Sequence, residues 1–547
     1  MTDSANDRPT HVVDVLIAGA GPVGLTLANF LAMQGVSCLI IDQGASLIDY
    51  PRGVGIDDEC LRTFQAAGLA DSVTAHTTPN HWMRFMTAKG RCFASIEPRT
   101  DDFGWPRRNA FVQPLVDRVL FAGLERFSHA QVKFGNTLTR FTDHGDHVEA
   151  ITQTADGEES SFHARFLIGC DGGRSTVRSQ LGLGFDGSTE STKWLVVDIE
   201  NDPLGIPNAY LHCNPARPYV SIALPHGIRR FEFMVMPGET EEQIVTPEKL
   251  HELLGKVCEH PERLRLIRSR VYTHHARLAS QFRVGSVLIA GDAAHLMPVW
   301  QGQGYNSGIR DAFNLGWKLS LVVKNLCAPQ LLDTYEQERR PHARAMIAIS
   351  QLAGRIFSPT TRIAAWTRDV VLLLLNAVPP VKRYLLQMRF KPMPSYDCGA
   401  IVPERDPKPS TPVGKLFIQP RVSTTDGRIV LLDEAVGPGL AVLGWNIDPA
   451  RDMDDAARAL CARLDVRLFV VKPTVAIHEP VAMGSSTITL GDCTGRIKEW
   501  FGAQRGSIVF LRPDRFVGAI STPENVTALT HKFAAALSYI DPESRMR

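Results

Sequence analysis

The residues best suited to chemistry lie between Val287 and Asp311, reading VLIAGDAAHLMPVWQGQGYNSGIRD. An apolar run ends in Gly-Asp and passes a His-x-x-Pro turn. It then reaches a glycine-rich loop, Gly302, Gly304 and Gly308, which opens a helical pattern. A carboxylate at Asp292 can accept hydrogen bonds from the hydroxyls of a sugar alcohol. Glycines let backbone N–H groups approach phosphate or ring oxygens at a helix start. The arrangement suits a polyhydroxylated anion.

Two upstream motifs fit the same ligand. Gly19-Ala20-Gly21-Pro22-Val23-Gly24 follows the strand-like run Val12–Ala18 and opens helical spacing over Gly24–Gln34; Asp42 ends the next run, Val36–Ile41. Such glycines serve a tight turn, the close approach of a pyrophosphate and close helix–strand packing, and the acid can take ribose hydroxyls. This dinucleotide fingerprint does not by itself separate FAD from NAD. Asp171-Gly172-Gly173-Arg174-Ser175-Thr176-Val177-Arg178 ends a third run, Phe166–Gly169. There the acid can shape a turn beside the nucleotide, and Arg178 can serve a phosphate or brace the loop.

These motifs need a parallel α/β scaffold. Between them, from Trp194 to Val235, short alternating runs predict an inserted antiparallel sheet. A long helical stretch is predicted after Pro341, broken near Pro359 and at Pro379–Pro380. The apolar run Val370–Val378 (VVLLLLNAV) is too short to span a membrane and predicts a buried helix. Val402–Lys415, rich in proline and charge, reads as a linker. Beyond it, runs at Gly427–Leu432, Gly439–Leu443, Leu468–Val471 and Ser507–Leu511 predict a terminal α/β domain. The expected division is 1–190 and 285–400 for the nucleotide-binding domain with its helical segment. Residues 191–284, with contributions near 80–110, form the sheet domain; 401–415 is a linker and 416–547 the terminal domain.

Composition sets limits. The 547 residues are 44% hydrophobic and 21% charged, with a formal net charge of +1. That balance gives nucleic acid no electrostatic footing. Ten cysteines without a C-x-x-C pair fit a reducing, cytoplasmic setting and offer neither a zinc site nor a disulfide framework. The polar N-terminus, MTDSANDRPTH, lacks an apolar signal core.

With its three motifs in this order, the chain resembles the group A flavoprotein aromatic hydroxylases, relatives of para-hydroxybenzoate and phenol hydroxylases. The stretches DYPRGVGIDDE (Asp49–Glu59) and RRFEFM (Arg229–Met234) are similar to the branch acting on phenylpropanoid phenols. The resemblance implies a Rossmann-like FAD domain with an inserted antiparallel substrate sheet, and a thioredoxin-like C-terminal domain without its C-x-x-C. Gly444-Trp445-Asn446-Ile447 stands where the thiols would be. It implies non-covalent FAD, with NADH preferred to NADPH, and dioxygen and a small phenolic acid as partners; a homodimer is allowed for, a membrane or nucleic acid is not. The substrate expected is 3-(3-hydroxyphenyl)propionate or 3-hydroxycinnamate, hydroxylated ortho to the phenol through a flavin C4a-hydroperoxide. The rival readings are a hydroxylase of larger polyketide aromatics, and a non-catalytic flavin-binding or redox-sensing protein.

Carried over residue by residue, the resemblance places Gly19, Gly21 and Gly24 on the pyrophosphate and Asp42 on the ribose. Arg52 and Gln113 would lie along the cofactor, with Asp171 and Arg178 at the second fingerprint and Asp292 on the ribitol. Pro298 and the loop Gly302, Gly304, Asn306 would lie by the isoalloxazine. A base near the phenol would assist its attack on oxygen; Asp57 is the candidate, although Asp57-Asp58-Glu59 also reads as an acidic helix start. Arg229 or Arg230 is the candidate cation for a substrate carboxylate. His295 reads as structural, and His274–His275 as ordinary polar positions. No metal is expected.

Overall fold

The structure, a computed structural model, describes residues 11–405, 410–479 and 487–541. The N-terminal segment and residues 406–409 of the expected linker lie outside the described residues. The nucleotide-binding half centres on a parallel sheet. Strand His11–Ala18 lies between Cys38–Ile41 and Glu159–Gly169, with Val287–Ile289 beyond the latter and Ala130–Lys133 beyond the former. Their runs, such as Val15-Leu16-Ile17, are buried on both faces because helices cover the sheet. All three motifs leave this sheet at the C-terminal ends of neighbouring strands, where open α/β sheets bind ligands.

Helix Pro22–Met33 packs on the long helix Gln303–Val323, and two glycines make that approach close. A Cβ on Gly308 would meet Val23 Cγ2 at 2.6 Å, and one on Gly316 would meet Phe30 Cβ at 2.9 Å. A second, eight-stranded sheet stands against this half. It runs from His295–Leu296 through Arg265–Ala279, Phe185–Glu200, Arg229–Met234, Tyr219–Ala223 and Ala209–His212 to Met83–Met86 and Cys92–Ile96. All its pairings are antiparallel except that of Ala209–His212 with Met83–Met86. The C-terminal domain is a seven-stranded mixed sheet flanked by helices. All ten cysteines are unpaired, so the fold takes no disulfide.

Two helical expectations change. The helix predicted after Pro341 begins earlier, at Asp333, and runs to Phe357 with Pro341 inside it. Glu338 and Arg339, just upstream, are fully buried in ion pairs that hold the turn despite the missing N–H. The run Val370–Val378 is not a buried helix. Of the apolar residues in this run only Leu372 and Leu373 pack against the second sheet's core, while Val371, Leu374, Leu375 and Val378 are exposed.

The C-terminal domain is fastened by buried charge. Arg512 reaches Glu338 through both terminal nitrogens at 2.7 and 2.8 Å; Lys318 reaches the same carboxylate at 2.8 Å, and Asn314 and the Ala400 amide also donate to it. Burial pushes the Glu338 carboxyl up, but Arg512 and Lys318 outweigh it and hold it at about 2. Its stabilisation is therefore complete at neutral pH and is lost only as pH falls below the ordinary carboxylate range. Glu338→Gln leaves Lys318 buried without its anion and strips Arg512 of one of its two, Asp514 remaining. It should cost ~3–5 kcal/mol, read as a lower urea midpoint at unchanged slope.

Candidate active site

The glycines of the first motif differ in what a side chain would meet. At Gly19, with φ +111°, a Cβ would lie 2.3 Å from the Cys170 carbonyl oxygen; at Gly24 it would lie 2.1 Å from that of Gly19. These two are required by packing inside the protein. Gly21 has nothing within 4 Å of its would-be Cβ. Its open face lies at the N-terminus of Pro22–Met33, where a pyrophosphate would be received.

Nearby polar groups fit a nucleotide of the FAD type. Asp171 accepts the Val177 amide at Oδ2 and leaves Oδ1 buried without a partner. Asp117, behind the Pro51–Gly53 loop, accepts from Gln113 at Oδ2, leaves Oδ1 unpartnered, and is pushed up by burial to about 7. Asp292 is half-buried beside Gly291. Two expected contacts have intramolecular work. Asp42 accepts the Ala20 and Gly44 amides, each at 2.7 Å, and so braces the glycine turn. Arg178 donates to the carbonyls of Gly173 and Ala293, each at 2.9 Å, clamping the second motif to the third.

The chain at Pro51–Asp57 is pinned from every side. Arg230 donates to the carbonyls of Pro51 (2.6 Å) and Arg52 (3.0 Å), and Gln113 accepts the Gly53 amide at 2.6 Å. Asn306 donates to the Gly55 carbonyl and accepts the Asp57 amide, both at 3.0 Å. Its Nδ2 also donates to the Gly302 carbonyl at 2.6 Å. Arg52 has its backbone held in this way and its side chain exposed. Pro298, buried, starts the turn Val299–Gln301 that leads into Gly302 and Gly304.

Three candidates for substrate chemistry have partners inside the protein. Asp57 Oδ1 caps helix Asp58–Ala66 through the Cys60 amide, and Oδ2 is paired with Arg310 and Lys391. Burial pushes its carboxyl up, but Arg310 and Lys391 prevail and hold it below the usual carboxylate range. Glu59 shares both cations. Arg229 is fully buried on Asp202, at 2.5 and 2.7 Å, and on Ser221. Arg230 is paired with Asp198 at 2.7 Å. Both arginines are committed inside the protein, one to a loop of the sheet and the other to the Pro51–Gly53 loop.

The face of the second sheet that bears Arg230 also carries Trp194, Glu232, Tyr272 and His274, with Trp300 set against them from the glycine loop. His274 is not an ordinary polar position. Its side chain is 1% exposed, Nδ1 lies 3.2 Å from Glu190 Oε2, and Nε2 has no partner. The indole nitrogens of Trp194 and Trp300 are also buried and unpartnered, with ring centroids 5.2 Å apart. Buried polar atoms are rarely left this way. Glu190 sits in the register shift of strand Phe185–Glu200 opposite His274, a pairing that only the bulge creates. His295 lies 2.6 Å from fully buried Asp311 through Nε2, and its Nδ1 is likewise buried without a partner.

The FAD binding domain family matches residues 12–350, and the HcaD C-terminal domain matches residues 414–536. A 3-(3-hydroxy-phenyl)propionate/3-hydroxycinnamic acid hydroxylase of Comamonas testosteroni is 51% identical over 577 residues, covering 97% of this chain and 98% of its own. One of Escherichia coli O81 (strain ED1a) is 52% identical, covering 98% and 96%. Among solved structures, the flavin-dependent monooxygenase PieE, in complex with FAD and substrate, superposes with TM-score 0.82 at 23% identity over 96% of this chain and 99% of that one. Aklavinone-11 hydroxylase with FAD and aklavinone superposes at 0.77 and 26%, again over 96% and 99%.

The glycines separate packing from binding. Gly21→Val should fold at the wild-type melting temperature yet purify with at least about tenfold less flavin at equal added FAD. Gly24→Ala should lower the melting temperature itself, since its methyl has no room. Flavin absorbance per protein and thermal unfolding of the apoproteins test both; equal melting losses would refute the distinction.

Proposed function

The chain belongs to the FAD binding domain family, as a flavin-dependent monooxygenase, and we propose that it hydroxylates a phenolic acid, 3-(3-hydroxyphenyl)propionate or 3-hydroxycinnamate, ortho to the phenol. The observation that carries the substrate class is 51–52% identity across nearly the whole chain to hydroxylases of that name. The polyketide-type reading has less behind it, 26% identity to aklavinone-11 hydroxylase. The proposal includes NADH as the preferred reductant. It also takes the protein to be cytoplasmic, a setting its ten unpaired cysteines suit, and allows for a homodimer.

Bound FAD supplies electron transfer from the nicotinamide and activation of dioxygen. The chain supplies position, dryness and proton control. Gly21, Asp171 and Asp292 would hold the cofactor, with Arg52 and Gln113 along it and Pro298, Gly302, Gly304 and Asn306 beside its ring. The aromatic sheet face excludes water from the reacting ring. With Asp57 committed to its ion pairs, His274 is the group that fits a phenol. A hydrogen bond from Nδ1–H to the Glu190 carboxylate fixes the tautomer in which Nε2 is an acceptor, and this atom is the unpartnered one. A phenol O–H donating to Nε2 gains phenolate character, and Glu190, with 28% of its side chain exposed, connects the imidazole to solvent.

The test is NADH and NADPH consumption by FAD-loaded protein with oxygen and peroxide followed together. Both acids should stimulate NADH oxidation with little peroxide, whereas phenol and polycyclic aromatics should not; stimulation only by polycyclic phenols would overturn the substrate assignment. His274→Ala should keep its flavin while hydroxylation falls by about a hundredfold and most reducing equivalents leave as peroxide. Wild-type coupling in that variant would remove His274 from the reaction.

A further inference from the structure

Of the buried arginines, Arg62, Arg229, Arg230, Arg310, Arg339, Arg368, Arg512 and Arg515 each have a carboxylate within ion-pair distance, and Arg178 donates to two carbonyls instead. Arg108, half-buried, has neither. It lies on strand Arg108–Phe111 directly opposite Asp57 in the pairing with Gly55–Asp57, yet that carboxylate is turned to Arg310 and Lys391. Among the described residues no hydrogen bond or ion pair reaches the Arg108 guanidinium, and its Nε is fully buried. Burial pulls its pKa down to about 10, so it stays a cation at neutral pH. A largely desolvated charge with no partner of its own is costly, and a group from outside the chain that met it would relieve that cost.

The surroundings say what that group would be. Arg108 lines two spaces at once. One is a cavity of about 370 Å³ shared with Asn80, His81, Trp82, Glu97 and Arg99. The other is a narrow cleft whose walls include Gly55, Gly302, Asn306 and Met388, the loop expected beside the flavin ring among them. In the cavity, Glu97 is already paired with Arg99 at 2.6 Å. Burial, with Arg108 adding to it, pulls the His81 imidazole down to about 3, so it is neutral. The cavity's uncompensated charge is thus the single positive charge of Arg108. Ala110, on the same strand face as Arg108, belongs to the apolar cluster that includes Trp194, Met234 and Met388. Met388 of this cluster lines the cleft together with Arg108, so the cleft joins an apolar side chain to a cation.

We propose that Arg108 binds the carboxylate of the phenolic acid, in the place first expected of Arg229 or Arg230, and so selects substrates with an acidic side chain over bare phenols. This rests on the functional reading above and adds the acid-specifying residue to it. A guanidinium presents a two-pronged donor to a carboxylate, and taking that carboxylate in relieves the cost of the buried charge.

The experiment compares Arg108→Met and Arg108→Lys with wild-type holoenzyme on 3-(3-hydroxyphenyl)propionate and on uncharged 3-propylphenol. Calorimetric binding of 3-phenylpropionate, which has the carboxylate and no phenol, is measured alongside. The methionine variant should raise KM for the acid about a hundredfold, lower KM for 3-propylphenol, and abolish 3-phenylpropionate binding, with the lysine variant recovering part of the acid's loss. Flavin content and melting temperature equal to wild type show that the variant folds. Equal losses on acid and neutral phenol, unchanged KM for the acid, or a wild type that fails to bind 3-phenylpropionate would each overturn the assignment. If wild type binds 3-phenylpropionate and Arg108→Met does not, while neither acid is hydroxylated, the carboxylate site stands and the functional reading falls.

Discussion

Helix Gln303–Val323 buries Arg310, Asp311, Asn314 and Lys318, and none of these can be left there without partners. Each draws a different part of the chain onto the helix. Arg310 takes Asp57 and Glu59; Asp311 takes His295, Arg339 and the Gly291 amide; Asn314 and Lys318 share Glu338 with Arg512 of the C-terminal domain. The apolar core alone would tolerate small shifts among these pieces. Buried ion pairs do not, because losing one partner strands the other. The helix that begins at the flavin loop therefore fixes the loop, the third nucleotide motif and the terminal domain in one frame.

That frame explains why the Pro51–Asp57 segment carries so many bonds. It is tied at one end to the second sheet through Arg230 and at the other to helix Gln303–Val323 through Asn306 and Arg310. Arg230 and Gln113 fix one end, Asn306 and the ion cluster the other. Catalytic precision of this kind depends on supporting side chains that touch neither cofactor nor substrate. The acids that look most reactive in the sequence, Asp57 and Glu59, belong to this support.

What the sequence revealed and what it concealed divide by range. The glycine motif, the apolar strand runs and the second and third fingerprints are local patterns, and the structure brings all three motifs to adjacent strand ends. The spacing marks all three glycines for the pyrophosphate, and only the surroundings of each would-be Cβ separate Gly19 and Gly24, which have no room, from Gly21, which is open. The ion network is different: Arg310 meets residues some 250 positions upstream, and Lys391 meets them from further away. No local pattern distinguishes an aspartate bound to such a network from one poised as a base. The same holds for His274, whose partner Glu190 lies 84 residues away and faces it only through a bulge. VVLLLLNAV misleads for the converse reason. Its composition reads as core, but its helix covers only an edge of the second sheet and leaves one apolar face outward.

The division of labour that results is between charges that are satisfied and polar atoms that are not. Arg229, Arg230, Arg310, Arg339 and Arg512 are balanced before any ligand arrives, so their energy goes into shape. Asp171 Oδ1, Asp117 Oδ1, His274 Nε2 and Arg108 Nε are buried and unbalanced. Leaving such groups unmade costs stability in the free protein, and a ligand that completes them recovers the cost as affinity. They also differ in kind: carboxylate oxygens in the nucleotide-binding half, an imidazole acceptor on the aromatic sheet face, and a guanidinium between the cavity and the cleft. A cofactor rich in hydroxyls, a phenol and a carboxylate are the three groups that such a set would complete together. A bare phenol would leave the guanidinium unmet, and a large uncharged aromatic would do the same while demanding more room.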